Sequence, residues 1–144
     1  MLRTVRNCAS FRLGEHVFHT WDVAGAFDRT ARVAPDATEL LIDLQRGIVR
    51  LASQFIPRET RPAEEKTLLI KTTAPVRTYE LVLGEGAELR SGELDGRSDG
   101  ELAIPAEALL RLFAGRLKPG SPSADVEPSA GMTMDELRRA FPGY

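Results

Sequence analysis

The sequence holds a single cysteine, Cys8. One thiol makes neither an internal disulfide nor a cysteine-rich zinc site. The expectation is a reduced thiol in a cytoplasmic setting. No apolar run approaches the about 18 residues of a membrane span. The N-terminal string MLRTVRNCASFRLGEH lacks the apolar centre of a secretory signal. Its three arginines before the first acid are a transit-peptide trait, but the segment runs straight into a helical pattern. A surplus of positive charge is also missing. Lys and Arg number 19 against 21 Asp and Glu, a net charge of −2, which argues against nucleic acid as a partner. The glycines are scattered without a phosphate-binding loop, and no nucleophile elbow or internal repeat occurs.

What is there is an ordinary globular composition. The 144 residues are 42% hydrophobic and 28% charged. This is one domain's length, enough to bury a core without staples.

Residues 10–27 read as a helix, with Ser10 placed to cap it. On a helical wheel Leu13, Val17, Trp21 and Ala24 share a face, with Phe18 at its margin; Glu15, His19 and Asp22 form a narrow stripe roughly opposite. A second start signal follows at Pro35, with Asp36 and Glu39 spaced as a capping box. That helix is expected to run to about Gln54, with Ala37, Leu40, Leu41, Leu44, Ile48, Leu51, Ala52 and Phe55 as one apolar stripe. Ile42 and Val49 lie off the stripe.

Four strand candidates come next: KTLLIKTT, RTYELVLG, residues 86–91 and residues 100–104. Their tight spacing predicts an antiparallel meander. Pro105 is placed to open a helix that ends near Gly115. A Pro-, Gly- and Ser-rich loop with room for a short strand near Val126 leads to a second capping box, Thr133 with Glu136. The pattern fits an α+β domain with helices on one face of the sheet, plus one extra N-terminal helix.

Chemistry concentrates in GEHVFHTWD. Glu15 and His19 are one helical turn apart, so both side chains share a face. A carboxylate and an imidazole so placed supply two ligands of a divalent-metal site, or else a solvated ion pair; the spacing leaves both open. Asp22 is placed either to hydrogen-bond His19 behind a metal or as a surface acid. His16 points elsewhere on the wheel. Arg116, after Gly115, suits a bidentate hold on a carboxylate or thiol-ester substrate, or a helix-end arginine bound to the last carbonyls.

Taken together, RLGEHVFHTWDVAGAF, APDATELLIDL, IPAEALLRLFAGRL and DELRRAFPGY resemble the C-terminal part of the mycothiol-dependent maleylpyruvate isomerase family, from about residue 10 onward. The resemblance implies two parts: residues 1–32 as the last helix of a metal-binding four-helix bundle, and residues 33–144 as a sterol-carrier-like domain of mixed sheet and helices. It implies zinc or another divalent metal on Glu15 and His19, mycothiol as the thiol, and Arg116 serving substrate or thiol. The earlier bundle helices and their histidine have no counterpart here. The expectation is therefore a domain incomplete as a catalyst by itself. Val17, Phe18, Trp21 and Phe27 would then need cover from the chain's own domain, a second copy or a separate bundle chain. The alternative is a non-catalytic sterol-carrier-like module for a small apolar or acyl ligand.

Overall fold

In the computed structural model, residues 2–91 and 97–143 are described. The chain runs α1 (Leu2–Phe27), α2 (Pro35–Ile42), α3 (Gln45–Ala52), β1 (Lys66–Thr73), β2 (Arg77–Leu83), β3 (Ala87–Arg90), β4 (Gly100–Pro105), α4 (Ala106–Phe113) and α5 (Met134–Ala140).

All four expected strands form one sheet in the order β3-β2-β1-β4. The first three make the antiparallel meander, with Leu68 opposite Leu81 and Leu81 opposite Leu89. The fourth departs from it. β4 lies on the far side of β1 and parallel to it, Ile70 beside Leu102. Asp99 sets this edge: its carboxylate accepts from Thr67 N at 2.7 Å, and its own amide donates to Thr67 O at 2.8 Å. Gly100 is required beside it, because a Cβ there would overlap the Ala130 backbone.

Period-two alternation puts Leu68, Ile70, Tyr79, Leu81, Leu83, Leu89, Leu102 and Ile104 on one buried face. The opposite face carries ion pairs, Lys71 with Glu101 and Arg90 with Glu88. Helices α3 and α4 pack on the sheet, α2 packs on α4, and α1 packs on α2. Pro105 ends β4 and stands just before α4, rather than serving as its first helical residue. The Thr133–Glu136 capping box is present with both of its reciprocal bonds. The chain around Val126 is irregular, not a strand.

The expected helix to Gln54 is broken in two. Gln45 is buried, and its side-chain amide donates to Leu41 O at 3.0 Å. It thereby takes the carbonyl that would carry a continuous helix onward. Leu44 N turns back to Leu41 O, a tighter three-residue step. The break rotates α3. Ile42 and Val49 are fully buried, while Leu40 and Phe55 are each 61% exposed. The Leu51 side chain lies outside the description. The start of α2 also differs from expectation. Pro35 is the first helical residue, Ala34 precedes it, and no side chain caps the end.

Candidate functional site

Helix α1 starts well before Ser10, so Ser10 lies within the helix and does not cap it. Its buried seam is Gly14 and Phe18, continued by the half-buried Trp21 and Gly25. This repeat at intervals of four, three and four residues is the contact line of a helix. Gly14 faces α2: a Cβ there would stand 4.0 Å from a Leu41 methyl, an ordinary contact. The apolar face is thus centred on Phe18, not on Ala24, which is exposed. Glu15, His19 and Asp22 follow that seam by one residue each. They sit beside the packed face, about 100° around the helix, and not opposite it.

That rotation brings the predicted residues together. Glu15 Oε2 and His19 Nε2 are 3.5 Å apart. His19 Nδ1 is 3.7 Å from Asp22 Oδ2, longer than a hydrogen bond. Asp22 in turn accepts two bonds from Arg116, Nε to Oδ1 at 2.8 Å and Nη2 to Oδ2 at 2.9 Å. Asp22 is therefore bound to Arg116 first and only near His19. The Arg116 hydrogen bond is the largest influence holding the Asp22 carboxyl below its ordinary range, and the charges of Arg116 and His19 add to it.

Local backbone explains where Arg116 stands. Gly115 has φ +69° at the end of α4. Its amide donates to Leu112 O, and Arg116 N donates to Arg111 O at 2.7 Å. These two bonds make a Schellman motif, for which a left-handed glycine is the usual solution. The C-terminal strap Phe141-Pro142-Gly143 lies against this turn, since a Cβ on Gly115 would overlap the Pro142–Gly143 peptide. Tyr144 lies outside the described residues. The helix-ending Gly-Arg and the terminal Phe-Pro-Gly strings are thus parts of one joint. Arg116 also donates to Ala114 O at 2.9 Å and lies over the Phe18 ring, 5.2 Å to its centroid. Arg116 is a helix-end arginine, and its bidentate fork is taken by a carboxylate of its own chain, Asp22.

A residue the sequence reading did not single out supports this corner. Arg111 is fully buried on α4 and makes a bidentate pair with Glu107, at 2.9 and 3.0 Å. It also donates to Pro122 O and stacks over Trp21, 5.4 Å to the ring centroid. Trp21 Nε1 donates to Ala31 O at 3.0 Å. The only available signal was Glu107 and Arg111 one turn apart within an apolar helix.

Beside the Asp22–Arg116 pair opens a cavity of about 410 Å³, lined by the second half of α1, by Asp28 and Arg29 just after it, and by the loop after α4. As a metal half-site, Glu15 and His19 fit. Two donors each about 2.0–2.1 Å from a tetrahedral zinc stand roughly 3.3–3.4 Å apart, close to the 3.5 Å here. Among the described residues no cluster of three or more metal-ligating side chains occurs. Phe18 is buried in the chain's own core, Val17 and Trp21 pack half-buried against it, and Phe27 is 91% exposed. Cys8 is exposed.

No described helix is long and apolar enough to cross a membrane. No family model and no curated protein matches the sequence. Among solved structures the chain is similar to a conserved hypothetical protein from Thermus thermophilus that carries sterol carrier protein as a possible assignment. The TM-score is 0.39 at 17% identity, covering 67% of this chain and 82% of that one.

Proposed function

We propose that this chain is the C-terminal, substrate-facing part of a metal- and thiol-dependent isomerase or thiol transferase of the mycothiol-dependent type. Glu15 and His19 supply two ligands of a divalent-metal site, and the remaining ligand comes from polypeptide outside the described residues. A divalent metal at such a site lowers the pKa of a bound thiol. Asp22 stands 3.7 Å behind His19, placed to accept from the imidazole Nδ1–H once the ring turns onto a metal. Arg116 fixes Asp22 and contributes positive charge beside the cavity.

The observation that carries this reading is the line Glu15–His19–Asp22–Arg116. It joins the helix bearing the acid–imidazole pair to the turn bearing the arginine, with separations of 3.5, 3.7 and 2.8 Å. A lone surface ion pair would not require the second carboxylate and the arginine to be aligned behind it.

Zinc titration of the purified chain, followed by calorimetry and His19 NMR signals, tests it. The expected result is weak one-to-one binding that falls about tenfold or more in Glu15→Ala and in His19→Ala. His16→Ala should leave it unchanged. Asp22→Asn should weaken it about 10–100-fold, the usual effect of removing a carboxylate behind a ligating histidine. Zinc binding indifferent to both Glu15 and His19 overturns the reading. Lipid co-purifying with a metal-indifferent protein would favour the non-catalytic carrier module instead.

A further inference from the structure

The cavity beside Asp22 and Arg116 has an unbalanced lining. Its charged side chains are Asp22, Asp28, Arg29, Arg116 and Lys118. Both acids are already engaged. Asp22 receives the Arg116 fork. Asp28 accepts from the Thr30 amide at 2.8 Å and from its hydroxyl at 2.7 Å. Arg116 is spent on Asp22, on Ala114 O and on the Phe18 ring. By contrast, neither the Arg29 guanidinium nor the Lys118 ammonium has a hydrogen-bonded or ionic partner among the described residues. With Asp22 and Arg116 paired, and Asp28 keeping its charge under neutral Thr30 donors, the lining sets these two cations, Arg29 and Lys118, against one carboxylate, a surplus of one positive charge.

Its apolar lining is Trp21 with Ala26 and Pro119, and the indole is its one aromatic wall. Trp21 is pinned by its bond to Ala31 O and by Arg111 stacked on it. Gly25 and Gly120 line the same space without side chains, which leaves room beside the indole. A concave site with one fixed aromatic wall and a few converging polar groups is the usual form of a small-molecule pocket.

We infer that this cavity binds a small organic anion with a flat apolar body, the anionic group held by Arg29 and Lys118 and the body against Trp21. The inference rests on the function proposed above for the ligand's role as substrate. It moves recognition of the anion from Arg116 to two residues that the resemblance does not assign. Arg116 becomes the positioning residue that holds α1 against the loop after α4.

The test uses benzoate as probe and benzamide as its neutral isostere, on the metal-free chain, by amide NMR. Benzoate should shift the Gly25 and Gly120 amides saturably, and benzamide should bind about tenfold more weakly or worse. Added salt should weaken benzoate alone. Arg29→Gln with Lys118→Gln should raise the benzoate dissociation constant about tenfold or more, without a change in melting temperature, because neither side chain holds the fold. Equal binding of the two probes, no saturable benzoate binding, or benzoate affinity unchanged in the double variant overturns the inference. Glu15→Ala with His19→Ala keeps this outcome separate from the metal reading. That variant should bind benzoate like the parent chain while losing zinc.

Discussion

Helices α1 and α4 are held by opposite means. All eight residues of α4 are buried, and even its Glu107 and Arg111 neutralise each other inside the protein. Helix α1 has 26 residues, yet Phe18 is its only fully buried hydrophobic side chain among those described. The rest of its hold is the partly buried Leu13, Val17 and Trp21, the Trp21–Ala31 bond, the arginines over Trp21 and Phe18, and the Asp22–Arg116 pair. Stability thus resides in α4 and the sheet, while the candidate chemistry rides on the weakly held helix. Elements with few buried contacts open locally at low free energy. A site completed by polypeptide outside the described residues is consistent with such an element, since further cover would arrive with the partner ligand.

The largest effects should come from α4. Phe113 is buried edge-on to Phe141, ring centroids 4.9 Å apart. Phe113→Ala should cost about 3–5 kcal/mol in urea denaturation. Phe27→Ala on α1, from a side chain 91% exposed, should stay within about 0.5 kcal/mol. Equal costs would break the comparison. Arg111→Met strips Glu107 of its bidentate partner and leaves it, among the described residues, only the 3.8 Å contact to Arg32, and should cost about 3 kcal/mol. Pairing it with Glu107→Met should recover much of that loss, because the stranded charge goes too. Trp21 emission should change in Arg111→Met, since the cation over its ring is removed.

An intermediate effect belongs to the joint between the two regions. Gly115→Ala forces an L side chain into φ +69° and onto the C-terminal strap. It should cost more than about 1 kcal/mol. It should also raise amide exchange in residues 116–121, where the loop hangs from that turn.

What the sequence made legible follows from which interactions are local. The four strands β1 to β4, the Thr133–Glu136 box and the Glu15–His19 spacing are set by neighbours a few residues apart, and all of these appear. The parallel placement of β4 depends on Asp99 reaching Thr67, 32 residues back. The break at residues 43–44 depends on Gln45 turning inward. Neither has a periodic signature. The wheel misjudged α1 for a similar reason. Leu13, Val17 and Ala24 were weighed by hydrophobicity, whereas the packing seam runs through Gly14 and Gly25, which carry none. The Asp22–Arg116 bond spans 94 residues, so each residue was visible alone and their union was not. Arg29 and Lys118 carry no motif; only the engaged state of the acids around them picks them out.

The smallest expected effect is the most diagnostic for α1. Asp22→Asn removes half of the Asp22–Arg116 tie. The Asp22 side chain is 41% exposed, so solvent screening keeps the loss below about 1 kcal/mol. Its direction with pH is fixed by the carboxyl's lowered pKa, caused first by the Arg116 hydrogen bond. A carboxylate that titrates lower in the folded than in the unfolded chain stabilises the fold above the unfolded value. That contribution is lost as pH falls through the folded value. The difference between the parent chain and Asp22→Asn should therefore be constant from about pH 5 to 7 and shrink below about pH 4. Amide exchange should be faster in residues 18–24 of the variant at neutral pH, with the β-sheet amides unmoved. Faster exchange spread evenly through the sheet would mean that α1 is part of the main cooperative core, and the contrast between the two helices would fall.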